Sequence, residues 1–114
     1  MKSLLPTLKE KKRYLVFEII SESKINDFSD VSRQILSSCS RFIGEQGMAK
    51  AGIIVMHDRW NQQTQQGIAR VNNKYVDNLK ASLALIKNIN SEKVIVRSKG
   101  VSGILKKAHN KFMN

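Results

Sequence analysis

The sequence predicts an α+β sandwich in which the elements follow the order βαββαβ. We expect a four-stranded antiparallel sheet, two helices on one of its faces and a short helix at the C-terminus. Four short runs of β-branched and aromatic residues predict the strands, and two longer segments with apolar residues every three or four positions predict the helices. With 114 residues, 41% of them hydrophobic, the chain is long enough for one core and too short for two.

The first half of the chain is predicted to form a strand, a helix and a second strand. Residues 13–20 are rich in β-branched and aromatic side chains, and Asn26, Asp27 and Ser29 then offer caps for a helix. The apolar stripe of this helix consists of Phe28, Val31, Ile35, Cys39 and Phe42. Gly44 and Gly47 are expected to end the helix, and the apolar run 51–56 predicts a strand covered on both faces.

The second half is predicted to add two strands around a second helix. Residues 65–71 form the third strand and residues 93–97 the fourth. Between them, Asn72 or Asn73 caps a helix whose buried stripe consists of Val76, Leu79, Leu83 and Ile86, and which ends at Asn88, Asn90 and Ser91. Ser102 is expected to cap the C-terminal helix. We therefore predict a single domain over residues 1–114, with a basic N-terminal arm (1–12), a βαββαβ core (13–98) and a basic C-terminal helix (102–113).

The charge of the chain indicates a polyanionic partner. Its formal net charge is +11 and its pI is near 10.1, a large surplus for so small a surface. Two clusters hold many of the cations: Lys9, Lys11, Lys12 and Arg13, then Lys93, Arg97, Lys99, Lys106, Lys107 and Lys111. Because the first and fourth strands are neighbours in the predicted sheet, these clusters are expected to form one phosphate-binding patch. The alternative is a solvated basic face without a ligand.

As the polyanionic partner, nucleic acid is favoured over a membrane surface, and RNA is favoured over DNA. No apolar run approaches the roughly 20 residues of a membrane span, and the N-terminus has no signal-peptide pattern. The predicted ferredoxin-like order is also that of RNA-recognition-motif domains, which stack bases on aromatic residues of the sheet. Here Tyr14 and Phe17 are expected to serve the core or a protein interface, and the third strand offers no aromatic residue. Binding through phosphates and shape suits a folded RNA, although composition alone does not exclude DNA.

Two local features each leave more than one interpretation open. In the segment around Lys99, the glycines Gly100 and Gly103 allow close approach of a phosphate. Equally, Gly100 can simply make a turn while Ser102 caps the helix. Trp60, in the polar stretch 58–64, can stack on a base or dock into a partner protein, or it can form a half-buried cap on the turn.

The sequence predicts no catalytic residue and no metal ligand on this chain. His57 and Asp58 are adjacent, but neighbours in a strand point to opposite faces and make a poor acid–base pair. Cys39, the single cysteine, lies on a helical stripe and is expected to be buried, which fits a reducing cytoplasm. The carboxylates are scattered, and neither a zinc-ligand spacing nor a phosphate-binding loop motif is present.

Several ordered segments resemble the archaeal ribonuclease P protein component 2 family over residues 4 to about 108. The most specific are Leu5-Pro6-Thr7-Leu8-Lys9-Glu10-Lys11-Lys12-Arg13-Tyr14, Gly67-Ile68-Ala69-Arg70, Lys74-Tyr75-Val76-Asp77, Ala81-Ser82-Leu83-Ala84-Leu85-Ile86 and Val101-Ser102-Gly103. Their order and spacing carry the match, since no single tetrapeptide decides it. The chain departs at Ile104, where the family's threonine is expected, which puts a hydroxyl contact to RNA there in doubt.

The resemblance implies a protein subunit that assists the RNA-catalysed removal of the 5′ leader from precursor tRNA. It implies binding to the catalytic domain of the ribonuclease P RNA, which holds the magnesium, and only indirect contact with precursor tRNA. It also implies pairing with ribonuclease P protein component 3 in a 2:2 assembly, alongside other ribonuclease P proteins. The expected RNA contacts are Lys9, Lys11, Lys12, Arg13, Arg70, Lys74, Arg97, Lys99, Gly100, Ser102, Gly103, Lys106 and Lys107. The expected protein contacts are Phe42, Ile43, Met48 and Trp60.

Three rival functions remain open at this point. An RNA-scaffolding protein of another ribonucleoprotein, such as the ribosome, would share the basic patch but not the ordered segments. An autonomous metal-dependent nuclease would need a convergent carboxylate cluster. A module that contacts only proteins would bind RNA too weakly to show a steep salt dependence.

Overall fold

An antiparallel sheet forms the centre of the computed structural model, which describes residues 11–113. Its strands are β1 (Lys12–Ser21), β2 (Ile54–Val55), β3 (Gln66–Asn72), β4 (Asn88–Ile89) and β5 (Glu92–Ser102), in the spatial order β2-β3-β1-β5-β4. The helices are α1 (Phe28–Ala51), α2 (Val76–Ala84) and α3 (Leu105–Phe112). The predicted α+β class is therefore confirmed, with β4 added as a short edge strand. Within the described residues, no helix is long and apolar enough to cross a membrane.

The main core lies between the sheet and the helices α1 and α2. Alternate residues of β1, namely Leu15, Phe17 and Ile19, are buried there because side chains of a strand alternate between its two faces. They meet the stripes of the two helices, in which Val31, Ile35, Cys39, Leu79 and Leu83 are buried. The helical periodicity predicts these residues, but it also includes Phe42, which is exposed, and Ile86, which is buried beyond the end of α2.

The opposite face of the sheet is partly covered by α3. Val16 and Ile68 are fully buried there together with Ala108 of α3. Phe112 lies directly on the backbone of β5, since a Cβ atom added to Gly100 would come within 2.3 Å of its ring. The C-terminal helix thus forms a second, smaller core on the face away from α1 and α2.

The predicted ends of the first helix and the second strand are wrong. Gly44 interrupts α1 with a φ of 76°, but the chain resumes helical geometry and the helix continues to Ala51. It ends at Gly52, whose left-handed φ of 58° lets its N–H donate to the carbonyl of Met48. The helix therefore takes up residues expected in the strand, and β2 is reduced to Ile54–Val55.

The predicted boundaries after the second helix also need correction. Asn90 and Ser91 do not merely end that helix, because both have positive φ and form the hairpin turn between β4 and β5. The strand β5 continues to Ser102 through a bulge at Lys99, where the pairing with β1 shifts by one residue. Ser102 consequently does not cap α3, which begins at Leu105 without a side-chain cap.

Candidate nucleic-acid interface

The register of three strands brings many of the predicted RNA-binding residues to one end of the sheet. Lys12 of β1 is opposite Asn72 of β3, and Tyr14 is opposite both Arg70 of β3 and Ser102 of β5. The start of β1 therefore meets the ends of β3 and β5, as the expected adjacency of the first and fourth strands requires. We call this region the basic end; its predicted contacts are Lys11, Lys12, Arg13, Arg70, Lys74, Ser102, Gly103, Lys106 and Lys107.

Backbone and side-chain contacts fix the cations at the start of β1. The N–H of Asn73 donates to the carbonyl of Lys11 at 2.9 Å, which ties the start of β1 to the turn that carries Lys74. The guanidinium of Arg13 donates to the carbonyl of Lys12 at 3.2 Å. It also passes beside Gly103, where an added Cβ atom would lie 3.1 Å from Nη1 of Arg13. The first strand and the loop before α3 thus share one surface.

The cations of the basic end have no carboxylate partner in the part of the chain that the structure describes. The ion pairs found between residues 11 and 113 are Arg33–Asp30, Arg59–Asp58 and Arg97–Glu18. None of them involves a residue of the basic end. Lys11, Lys12, Lys74, Lys106 and Lys107 are all exposed. Unpaired, exposed cations on adjoining elements are what phosphate binding requires.

Two of the predicted RNA contacts, Arg97 and Lys99 on β5, are not free, fully exposed cations like the lysines of the basic end. Nη2 of Arg97 is 2.6 Å from Oε1 of Glu18, its cross-strand neighbour, so its charge is already compensated. Lys99 is the bulged residue and is only partly exposed. Lys9 lies outside the described residues.

The segment from Lys99 to Gly103 is explained by packing and turn geometry. Gly100 is covered by the ring of Phe112, so the close approach that requires a glycine is made by α3. Ser102 Oγ accepts a hydrogen bond from the N–H of Ile104 at 3.1 Å and shapes the turn into α3. Contact between this segment and phosphate stays a prediction, now resting on Ser102, Gly103 and the neighbouring cations.

Aromatic residues of the first strand are not available for stacking on bases. Phe17 is fully buried in the main core, and Tyr14 packs against the smaller core under α3. Both therefore have the core role, one of the two roles expected for them. With α3 lying across this part of the sheet, the surface that RNA-recognition-motif domains use for bases is covered here.

The predicted protein contacts fall in two separate places. Phe42, 47% exposed, lies just before the kink in α1 at Gly44, while Ile43 and Met48 on either side of it pack partly against the core. Trp60 is far along the sheet, half-buried against Phe17, with its indole N–H donating to Gln62 at 3.0 Å. Trp60 is half-buried, as the interpretation as a cap on the turn expects. A docking role would therefore involve only the exposed part of its ring.

The residues considered for catalysis are not arranged for it. His57 and Asp58 lie in a short 3₁₀ turn, where the imidazole packs on Phe28 with ring centroids 4.8 Å apart and Asp58 faces Arg59. Cys39 is buried, and desolvation raises the pKa of its thiol. Between residues 11 and 113, no group of three His, Cys, Asp or Glu side chains is placed to hold a metal ion.

Known proteins are similar to this chain both in sequence and in fold. The model of the Rpp14/Pop5 family matches residues 13–113. Ribonuclease P protein component 2 of Pyrococcus furiosus is 38% identical, covering 99% of this chain and 92% of the relative. The protein of the same name from Methanosarcina mazei is 36% identical over 99% and 93%. A chain in the cryo-EM structure of yeast ribonuclease MRP has the same fold, with a TM-score of 0.62 at 14% identity, covering 82% of this chain and 75% of that one.

Proposed function

The chain belongs to the Rpp14/Pop5 family and is a protein subunit of ribonuclease P, and we propose that its basic end binds the RNA of that ribonucleoprotein. The observation that carries the proposal is the set of exposed, unpaired cations that three strands and α3 bring together. Cations elsewhere on the described chain include three that are bound to carboxylates. Other exposed lysines, such as Lys24, Lys87 and Lys93, lie at the far end of the sheet, whereas the basic end brings exposed cations of several elements together on one surface.

The mechanism we propose is electrostatic stabilisation of the folded catalytic RNA. A folded RNA crowds phosphates together, and ammonium and guanidinium groups clustered on one surface lower their mutual repulsion. The protein favours that RNA fold to the extent that it binds it more tightly than the alternatives. The removal of the 5′ leader from precursor tRNA then takes place on the RNA, with magnesium ions bound to the RNA, and the protein contacts precursor tRNA only indirectly.

The apolar region around the kink of α1 supports a proposal about protein partners. Phe42 is exposed beside partly buried Ile43 and Met48, and such apolar surface favours association. We assign this region to contact with ribonuclease P protein component 3 or with a second copy of the chain, within a 2:2 assembly in the cytoplasm. The buried, unpaired Cys39 fits a reducing compartment.

Salt-dependent binding to the cognate RNA tests the basic end. We expect the triple variant Lys12→Ala, Lys106→Ala and Lys107→Ala to bind more weakly and to flatten the slope of log K against log salt by about 2 to 3, since each phosphate contact contributes about 0.7 to 0.9. The matched control Lys24→Ala, Lys87→Ala and Lys93→Ala removes the same charge from exposed residues at the other end of the sheet. Equal losses in the two triple variants would contradict a localised interface.

A further inference from the structure

An aromatic depression lies at the end of the sheet opposite the basic end. It has a volume of about 660 Å³ and is lined by Asn26, Asp27, Phe28, His57, Trp60 and Gln62, with Ser29 at its edge. The register places it there, because Asn61 pairs with Gln66, which is itself opposite Glu18 near the end of β1. None of the contacts that build the basic end reaches this region.

Three rings give the depression rigid walls. Phe28 packs on His57 with centroids 4.8 Å apart and on Trp60 with centroids 6.2 Å apart. Trp60 is held from behind by Phe17, and by Gly67, where an added Cβ atom would lie 3.1 Å from the indole ring. The indole N–H is fixed by Gln62, whose own amide donates to the carbonyl of Ile25 at 2.7 Å. The rings are therefore held in place before any ligand arrives.

The charge beside the rings is negative. Oδ1 of Asp27 accepts hydrogen bonds from both the N–H and the hydroxyl of Ser29, at 3.0 and 2.7 Å, while Oδ2 has no partner among residues 11–113. These hydrogen bonds lower the pKa of Asp27, so the carboxylate is charged at neutral pH. Of the nearby cations, Arg59 faces Asp58, and Arg33 forms its ion pair with Asp30 while its charge also contributes to the lowered pKa of Asp27. One free carboxylate oxygen thus remains next to the exposed ring surface.

We propose that this depression docks an arginine side chain presented by a partner protein. A guanidinium stacks flat on aromatic rings and can at the same time donate an N–H to the free carboxylate oxygen, so it satisfies the rings and Asp27 together. An RNA segment would also offer planar bases for stacking, but its phosphates would meet the carboxylate of Asp27. The chain would then bind RNA at one end and protein at the other.

The single tryptophan of the chain makes a direct test possible. In the full-length ¹⁵N-labelled protein, Trp60 gives the one indole N–H signal, which can be titrated with the blocked tripeptide acetyl-Gly-Arg-Gly-amide. We expect saturable shifts of this signal and of the amides of residues 27–29. The citrulline peptide, which has the same shape without the charge, should leave them in place. The test uses no RNA, so its result is independent of the proposed function.

Matched variants separate a specific site from general charge. Asp27→Asn keeps a good helix cap while removing the charge, and we expect it to weaken arginine-peptide binding about two- to fivefold. Asp58→Asn, at a carboxylate that faces Arg59, should leave binding unchanged. Equal binding of the citrulline peptide, or no effect of Asp27→Asn, would overturn the proposal. A shift caused by oligouridylate but not by the arginine peptide would overturn it as well and assign the rings to RNA.

Discussion

Burial of Cys39 predicts its chemical behaviour. Its thiol lies in the main core and its pKa is raised by desolvation, so the reactive thiolate is scarce in the folded protein. We expect a thiol-specific disulfide reagent to label the native chain only as fast as the chain unfolds. The labelling rate should therefore rise with urea in parallel with the unfolding rate measured by Trp60 fluorescence. Rapid labelling in native buffer would contradict this packing.

Asp27 predicts a pH dependence of stability. Its pKa is lowered in the folded state, first by the side-chain and backbone hydrogen bonds from Ser29, so folding favours the ionised form. The contribution is complete above the ordinary carboxyl pKa and is lost as the pH falls through the lowered folded value. We expect the difference in Tm between the wild type and Asp27→Asn to shrink as the pH is lowered from about 7 to about 3. A constant difference across this range would show that the cap carries no linked proton.

At the scale of elements, α3 depends on a glycine in β5. The ring of Phe112 occupies the space that a side chain at position 100 would need. We expect Gly100→Ala to destabilise the protein by about 1–3 kcal/mol through overpacking. In a Phe112→Ala background the same change should cost much less, which gives a coupling of about 1 kcal/mol or more in a double-mutant cycle measured by urea denaturation. Additive effects would show that α3 does not lie on Gly100.

The sequence predicts those elements whose pattern of apolar residues matches the residues that they bury. The β-branched and aromatic residues of β1 predict a strand, and most of the stripe of α1 repeats every three or four residues, so both elements follow from the sequence. The continuation of α1 past Gly44 could not be predicted, because a glycine at positive φ can either end a helix, as Gly52 does, or only kink it, as Gly44 does. The strand β4 was missed because it depends on the turn at Asn90 and Ser91 and on pairing with β5, not on its own two residues.

The features of the candidate site also divide into those that could be predicted from the sequence and those that could not. The cations at the start of β1 and on α3 come together because strand adjacency follows from the fold, and this adjacency was predicted. The ion pair between Arg97 and Glu18 depends on the exact register, which a bulge at Lys99 alters, and no local pattern reveals it. The packing of Phe28, His57 and Trp60 joins residues from two separate segments and likewise leaves no periodic signal.

At the scale of the whole molecule, charge is distributed along the sheet. The basic end holds cations without a carboxylate partner among residues 11–113, whereas at the far end cations such as Lys24 and Lys93 are interspersed with the carboxylates of Asp27, Asp30 and Glu92. A field of this kind turns the protein as it approaches a polyanion, so that the basic end meets the RNA first. The aromatic depression and the kink of α1 then remain available to proteins, which suits a subunit that joins RNA to protein within one particle.

This orientation predicts how the protein changes the magnesium requirement of the ribozyme. In the proposed mechanism, magnesium and the basic end both reduce repulsion between phosphates of the folded RNA, so we expect the protein with its partner subunits to lower the magnesium concentration at half-maximal cleavage of precursor tRNA. The Lys12→Ala, Lys106→Ala and Lys107→Ala variant should need more magnesium than the wild type. The Lys24→Ala, Lys87→Ala and Lys93→Ala variant should match the wild type, because its lost charges do not face the RNA. If all three proteins give the same magnesium profile as the RNA alone, phosphate screening by the basic end is not how this subunit assists cleavage.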